Sequence, residues 1–102
     1  MPTTRASTSP LASIARAGDE GRIATYQVCD WKTPLPADVL LGRHYPGDGV
    51  IDLASLTRAV TDTGYMGDVE VEIFNADVWA ADADAVVATM RQRFADLVAP
   101  FL

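Results

Sequence analysis

Three observations predict an α/β fold with parallel strands. Residues 22–30 and 69–74 are short stretches rich in β-branched, apolar and aromatic residues, and each alternates with period two. Between them Leu53, Leu56 and Val60 recur at helical spacing, which places a helix between two strands. The second stretch lies between two helical patterns, as expected of a strand covered by helices in a parallel sheet.

The elements follow in order. Residues 1–8 are polar and read as a disordered tail. Ser9 and Pro10 start a helix as cap and first helical residue; Leu11, Ile14 and Ala15 form its apolar side, and Gly18 ends it. In the first strand, Ala24, Tyr26 and Val28 share one face, and Ile23, Thr25, Gln27 and Cys29 share the other. Residues 31–50 form a long irregular stretch punctuated by Pro34, Pro36, Pro46, Gly42, Gly47 and Gly49. Its apolar groups Trp31, Leu35, Val39, Leu40, Leu41 and Tyr45 argue for an ordered loop folded over something. Asp52 caps the second helix and Gly64 stops it. In the second strand Val69, Val71 and Ile73 point one way, and Glu70, Glu72 and Phe74 the other. A second loop, residues 75–81, carries Trp79. The last helix begins near Asp82, with Val87, Met90, Phe94 and Leu97 on its apolar face, Arg91 and Arg93 pointing elsewhere, and Pro100 closing it.

A strand, long loop, helix and strand in this order make one right-handed crossover. Two strands are too few to satisfy a parallel sheet at its edges. The chain is therefore expected to be part of a larger barrel or open sheet. The remaining strands would come from a longer parent chain, a partner or a second copy.

Bulk properties bound the function. The chain has 102 residues, 49% of them hydrophobic, with a net charge of -6, which fits one small domain over residues 9–102. An acidic balance argues against nucleic acid and anionic membranes as partners, since both demand excess Lys and Arg. Cys29 is the single cysteine, so no internal disulfide is expected and a reducing, cytoplasmic setting is the default. No stretch has the apolar length needed to cross a bilayer, and the start has no apolar core of a secretory leader.

The chemistry-bearing residues are few. Glu70 and Glu72 lie on an otherwise apolar strand, where a carboxylate is costly unless it pairs with a cation, ligates a metal or moves a proton. An exposed edge strand with two solvated glutamates is the plain alternative. Gln27 is either a hydrogen-bonded core amide or a ligand, and Cys29 is most simply a small buried hydrophobe. A thiol or redox role for Cys29 finds no basic neighbour in the sequence to support it.

Three segments taken together resemble a known family. They are Gln27-Val28-Cys29-Asp30-Trp31-Lys32-Thr33-Pro34, then Gly42-Arg43-His44-Tyr45-Pro46-Gly47-Asp48-Gly49, then Gly64-Tyr65-Met66-Gly67 leading to Glu70-Val71-Glu72-Ile73-Phe74. In this order they look like the end of a sugar phosphate isomerase/epimerase of the xylose-isomerase-like barrel group. The resemblance runs over residues 9–97 and implies the C-terminal β-α-β-α portion of a (β/α)8 TIM barrel, with parallel strands and an incomplete barrel. It further implies a divalent cation (manganese, magnesium or cobalt) at the barrel mouth, held by two glutamates, an aspartate and a histidine. The reaction it implies is proton transfer between adjacent carbons of a sugar or sugar phosphate through an enediolate.

Carried over by position, Glu72 matches the last-strand glutamate that is both metal ligand and acid/base. Gln27 matches the place of the histidine, three residues before Asp30. Arg43 matches a substrate-contacting arginine, and Trp31 and Lys32 are further substrate-binding candidates. A hard cation polarises carbonyl and hydroxyl oxygens, an adjacent carboxylate shuttles the proton, and arginine's fork holds phosphate or hydroxyl oxygens. Two departures stand out. Gln27 is a weaker ligand than imidazole, with His44 either a substitute or a surface loop residue. The other two ligands belong to strands absent from the sequence, so the cation is expected only if those strands are supplied and the chain alone is expected to be inactive. The alternative is a non-catalytic truncated barrel module that self-associates through its open edges, or binds a sugar or partner.

Overall fold

The computed structural model describes residues 9–102. The tail expected at residues 1–8 lies outside the described residues. Helix α1 (Pro10–Asp19) starts at Pro10, while the Ser9 side chain makes no capping bond. Its stop differs from the expectation. Gly21, at φ 66°, takes the left-handed conformation that turns the chain, with the Arg22 N–H bonded to the Ala17 carbonyl at 2.9 Å. Gly18 instead lets α1 approach Thr63, whose side chain occupies the space a Cβ would need.

The first strand is shorter than residues 22–30. Strand β1 (Tyr26–Val28) pairs in parallel with β4 (Val69–Val71), in the register Tyr26 to Val69, Gln27 to Glu70 and Val28 to Val71. The Glu72 N–H extends this ladder to the Val28 carbonyl at 3.0 Å. Residues 22–25 find no ladder partner among the described residues, which is why the strand shortens. Strand β2 (Asp30–Trp31) then pairs antiparallel with β3 (Arg43–His44), so the long stretch expected to be irregular carries a small ladder of its own. A 3-10 turn at Val39–Leu41 lies between them. Leu35, Val39 and Leu40 remain exposed while Leu41 and Tyr45 are half-buried, so only part of the loop's apolar content is covered.

Helix α2 (Leu53–Asp62) is capped as the sequence predicts: the Asp52 carboxylate accepts the Ser55 N–H at 3.1 Å. Its buried stripe is Leu53, Thr57 and Val60. Thr57 replaces the expected Leu56 because its hydroxyl has a partner, the Tyr26 hydroxyl at 2.8 Å. The second post-strand loop contains a short helix, α3 (Ala76–Ala80), and the last helix, α4 (Ala83–Leu97), is capped by Asp82, whose carboxylate accepts the Ala85 N–H at 3.0 Å. Among the described residues there are two parallel strands, as expected, and four α-helices rather than three.

Burial divides the parallel sheet by face. Val28, Leu53 and Val98 form the buried cluster, with Tyr26, Ile51, Val69, Val71 and Phe94 packed against it. Each fully buried aliphatic side chain of this kind contributes about 1.5–3 kcal/mol. Gln27 and Glu70 project from the opposite face and are exposed. No closed barrel forms among the described residues. Instead Val69, Val71, Met90, Arg91 and Phe94 line an open groove beside β4. α4 keeps Met90, Phe94 and Leu97 half-buried and leaves Val87 exposed.

Candidate functional site

The polar face of the parallel sheet and the β2–β3 ladder meet where β4 ends. Arg43 is fixed there by its backbone: it pairs with Trp31 across the ladder, and its N–H donates to the Phe74 carbonyl at 3.2 Å. Its Nη1 donates to Glu72 Oε1 at 3.2 Å, and its Cζ lies 4.6 Å from the centroid of the Phe74 ring. Phe74 in turn meets Trp79 at 5.9 Å between ring centroids, tilted by 57°. The Arg43 and Glu72 side chains are 34% and 30% exposed, so solvent screens the pair and its net worth is at most about 1 kcal/mol. Its interest is positional. The substrate-binding and acid/base candidates are brought within contact.

Gln27 and Glu72 share one face of adjacent strands, but they are not paired with each other. Strand register sets Gln27 opposite Glu70, and its Nε2 donates to Glu70 Oε2 at 3.3 Å. Glu72 lies two residues further along the chain, just past the end of β4 and roughly 6.6 Å away along the strand direction. Glu70 thus pairs with an amide and with no described cation, and it is exposed. Cys29 falls on the same face near Glu72. Burial pushes its thiol above the ordinary 9.0, with Arg43 opposing that shift and Asp30 and Glu72 adding to it. A raised thiol pKa removes the reactive thiolate, against the redox reading.

Asp30, marked in the sequence only by its place three residues after Gln27, has a larger task. It is 1% exposed. Oδ1 accepts the N–H groups of Trp31 at 2.9 Å and Ile51 at 3.0 Å, and Oδ2 accepts that of Gly47 at 3.0 Å. One carboxylate therefore fastens both limbs of the Pro-Gly-Asp-Gly loop. At Gly49 a Cβ would collide with the Trp31 carbonyl and the Asp30 carboxylate, so the loop closes only with glycine there. From the other side Arg93 donates to the Pro46 carbonyl at 2.8 Å and to Asp48 Oδ1 at 2.6 Å. Asp48 is thus an ion-pair partner, and Arg93 reaches back to the loop. The signal available in sequence was an acidic residue closing a strand just ahead of a glycine-rich loop.

The remaining candidates lie at the periphery. Trp31 is 44% exposed, with its backbone opposite Arg43. Lys32 is exposed and pairs with no described residue. His44 is half-buried opposite Asp30. No group of three or more His, Cys, Asp or Glu able to hold a metal occurs among the described residues. The donor chemistry nevertheless suits part of a cation site: Glu72 offers carboxylate oxygens, and Gln27 engages Glu70 through its nitrogen, leaving its amide oxygen without a described partner.

Comparison with known proteins agrees with this architecture. Residues 5–94 match the xylose isomerase-like TIM barrel family, and the chain belongs to it. This family includes sugar isomerases and epimerases. The crystal structure of protein SMc04130 from Sinorhizobium meliloti 1021 is similar at 42% identity with a TM-score of 0.78, over 85% of this chain and 32% of that one. The IolI protein, whose crystal structure holds a zinc atom, is similar at 26% identity with a TM-score of 0.79, over 93% of this chain and 34% of that one. The chain thus spans about a third of the length of each. Among curated proteins none matches. No described helix is long and apolar enough to cross a membrane.

Proposed function

We propose that the chain supplies part of the active site of a metal-dependent isomerase or epimerase acting on a sugar or sugar phosphate. The observation that carries this reading is the contact of Arg43 with Glu72 on the face that also bears Gln27, in a chain of the xylose isomerase-like barrel family. Glu72 and Gln27 would hold a divalent cation, which when bound polarises the oxygens of the sugar carbons undergoing exchange. The similar IolI protein holds zinc, a cation outside the manganese, magnesium and cobalt implied by the resemblance.

The chain's own residues divide the remaining work. Glu72 takes a proton from one carbon and returns it to its neighbour, as a positioned carboxylate does in general acid–base catalysis. Arg43 swings from Glu72 to a phosphate or hydroxyl oxygen of the substrate, while Phe74 supports the guanidinium from beneath. Trp31 and Lys32 sit at the exposed rim, where they can meet the substrate's far end. The other ligands belong to strands outside this chain, so catalysis requires their supply. A reducing, cytoplasmic setting suits the free Cys29.

Calorimetric titration with Zn2+ and Mn2+ of the chain assembled with the strands that supply the other ligands tests the reading. Saturable binding that Glu72→Ala abolishes supports it, and binding indifferent to that change removes its basis. The second reading is a non-catalytic barrel module that self-associates or binds a sugar or partner. Gln27 in place of an imidazole and the lack of a three-residue ligand cluster among the described residues favour it. Light scattering that finds a metal-indifferent monomer counts against self-association as well as catalysis.

A further inference from the structure

We propose that Asn75 is a positioning residue that sets the reach of Arg43 toward Glu72 and substrate. The inference deepens the reading above and rests on it for the role of Arg43. Asn75 follows Glu72 by three residues, where the chain leaves the sheet. Its Nδ2 donates to the Arg43 carbonyl at 3.0 Å. Its Oδ1 accepts the N–H groups of Asp77 at 2.9 Å and Val78 at 3.2 Å, and so caps α3. α3 carries Trp79, Trp79 meets Phe74, and Phe74 lies under the Arg43 guanidinium. The contacts form a closed circuit. Arg43 is held at its N–H by the Phe74 carbonyl and at its own carbonyl by Asn75, with an aromatic ring below.

The side-chain amide is suited to this place because it donates and accepts at once. A carboxylate accepts only: it would keep the α3 cap and set an oxygen against the Arg43 carbonyl. The two tasks of Asn75 can therefore be separated. Asn75→Asp leaves the helix capped and releases Arg43, while Asn75→Ala loses both functions.

The test follows the Arg43 Nε–H resonance of arginine-labelled protein by NMR. In the wild type, Glu72→Gln is expected to shift this resonance. In Asn75→Asp the Asp77 and Val78 amides stay protected from exchange, and the Arg43 resonance no longer responds to Glu72→Gln. An undiminished response overturns the proposal. If Asn75→Asp does not fold, the wild type decides: a scalar coupling across the hydrogen bond from Asn75 Nδ2 to the Arg43 carbonyl supports the proposal, and its absence overturns it.

Inorganic phosphate supplies the functional readout. Its affinity is expected to fall about three- to tenfold in Asn75→Asp, the worth of one hydrogen bond, with no further loss when Arg43→Ala is already present. Equal losses in both backgrounds would make Asn75 merely structural and overturn the proposal. Wild-type protein that binds no phosphate counts against the sugar phosphate reading, and the Arg43 resonance then still decides the role of Asn75.

Discussion

The two faces of the parallel sheet are built from alternate residues of the same two strands, and they have opposite fates. On one face Tyr26, Val28, Val69 and Val71 pack on Leu53, Phe94 and Val98. On the other, Gln27, Glu70 and Glu72 are held only by one another and by Arg43. The first face is covered by the chain's own helices, apart from the open groove beside β4. The second is polar, open and joined by hydrogen bonds that are each worth little in water. Stability therefore resides on the helix side and candidate chemistry on the other, so substitutions should divide between the two faces in the same way.

Asp30 should give the largest effect. Asp30→Ala leaves three part-buried N–H groups without their acceptor and is expected to lower the unfolding free energy by about 3 kcal/mol, read by urea denaturation. Next comes Leu53→Ala, which opens a cavity in the buried cluster and should cost about 2.5 kcal/mol in the same measurement. Across the sheet, Glu72→Gln should change stability by less than about 1 kcal/mol, while abolishing calorimetric cation binding in the chain assembled with the missing strands. A loss as large as that of Leu53→Ala would erase the contrast between the faces.

The smallest effect concerns pH. The Ser55 hydroxyl, followed by the Ser55 N–H, holds the Asp52 carboxyl below its ordinary 3.8. A lowered folded-state pKa contributes stability that is present above 3.8 and lost as pH falls through the folded value. The gap in melting temperature between wild type and Asp52→Asn should therefore be open at neutral pH and close in acid below 3.8. A gap that persists unchanged into that acid range would contradict the assigned cause.

Local rules made much of this legible. The Asp52 and Asp82 caps, the parallel pairing of the two strands and the shared face of Gln27, Glu70 and Glu72 all follow from short-range pattern. What pattern could not supply was set by distant partners. Thr57 is buried in place of Leu56 because Tyr26, 31 residues away, offers it a hydroxyl. Asp30 organises a loop whose donors lie 17 and 21 residues on. The placement of Gln27 beside Glu70 and not Glu72 depends on strand register, which alternation alone leaves open by two residues.

That register has a consequence for how such a site endures. Sliding β4 by one position along β1 would turn Glu70 inward among Leu53, Phe94 and Val98 and push Val69 and Val71 out into water. The greasy side thus acts as a ruler for the acidic side. Carboxylates that contribute almost nothing to folding inherit their alignment from valines that never touch a ligand.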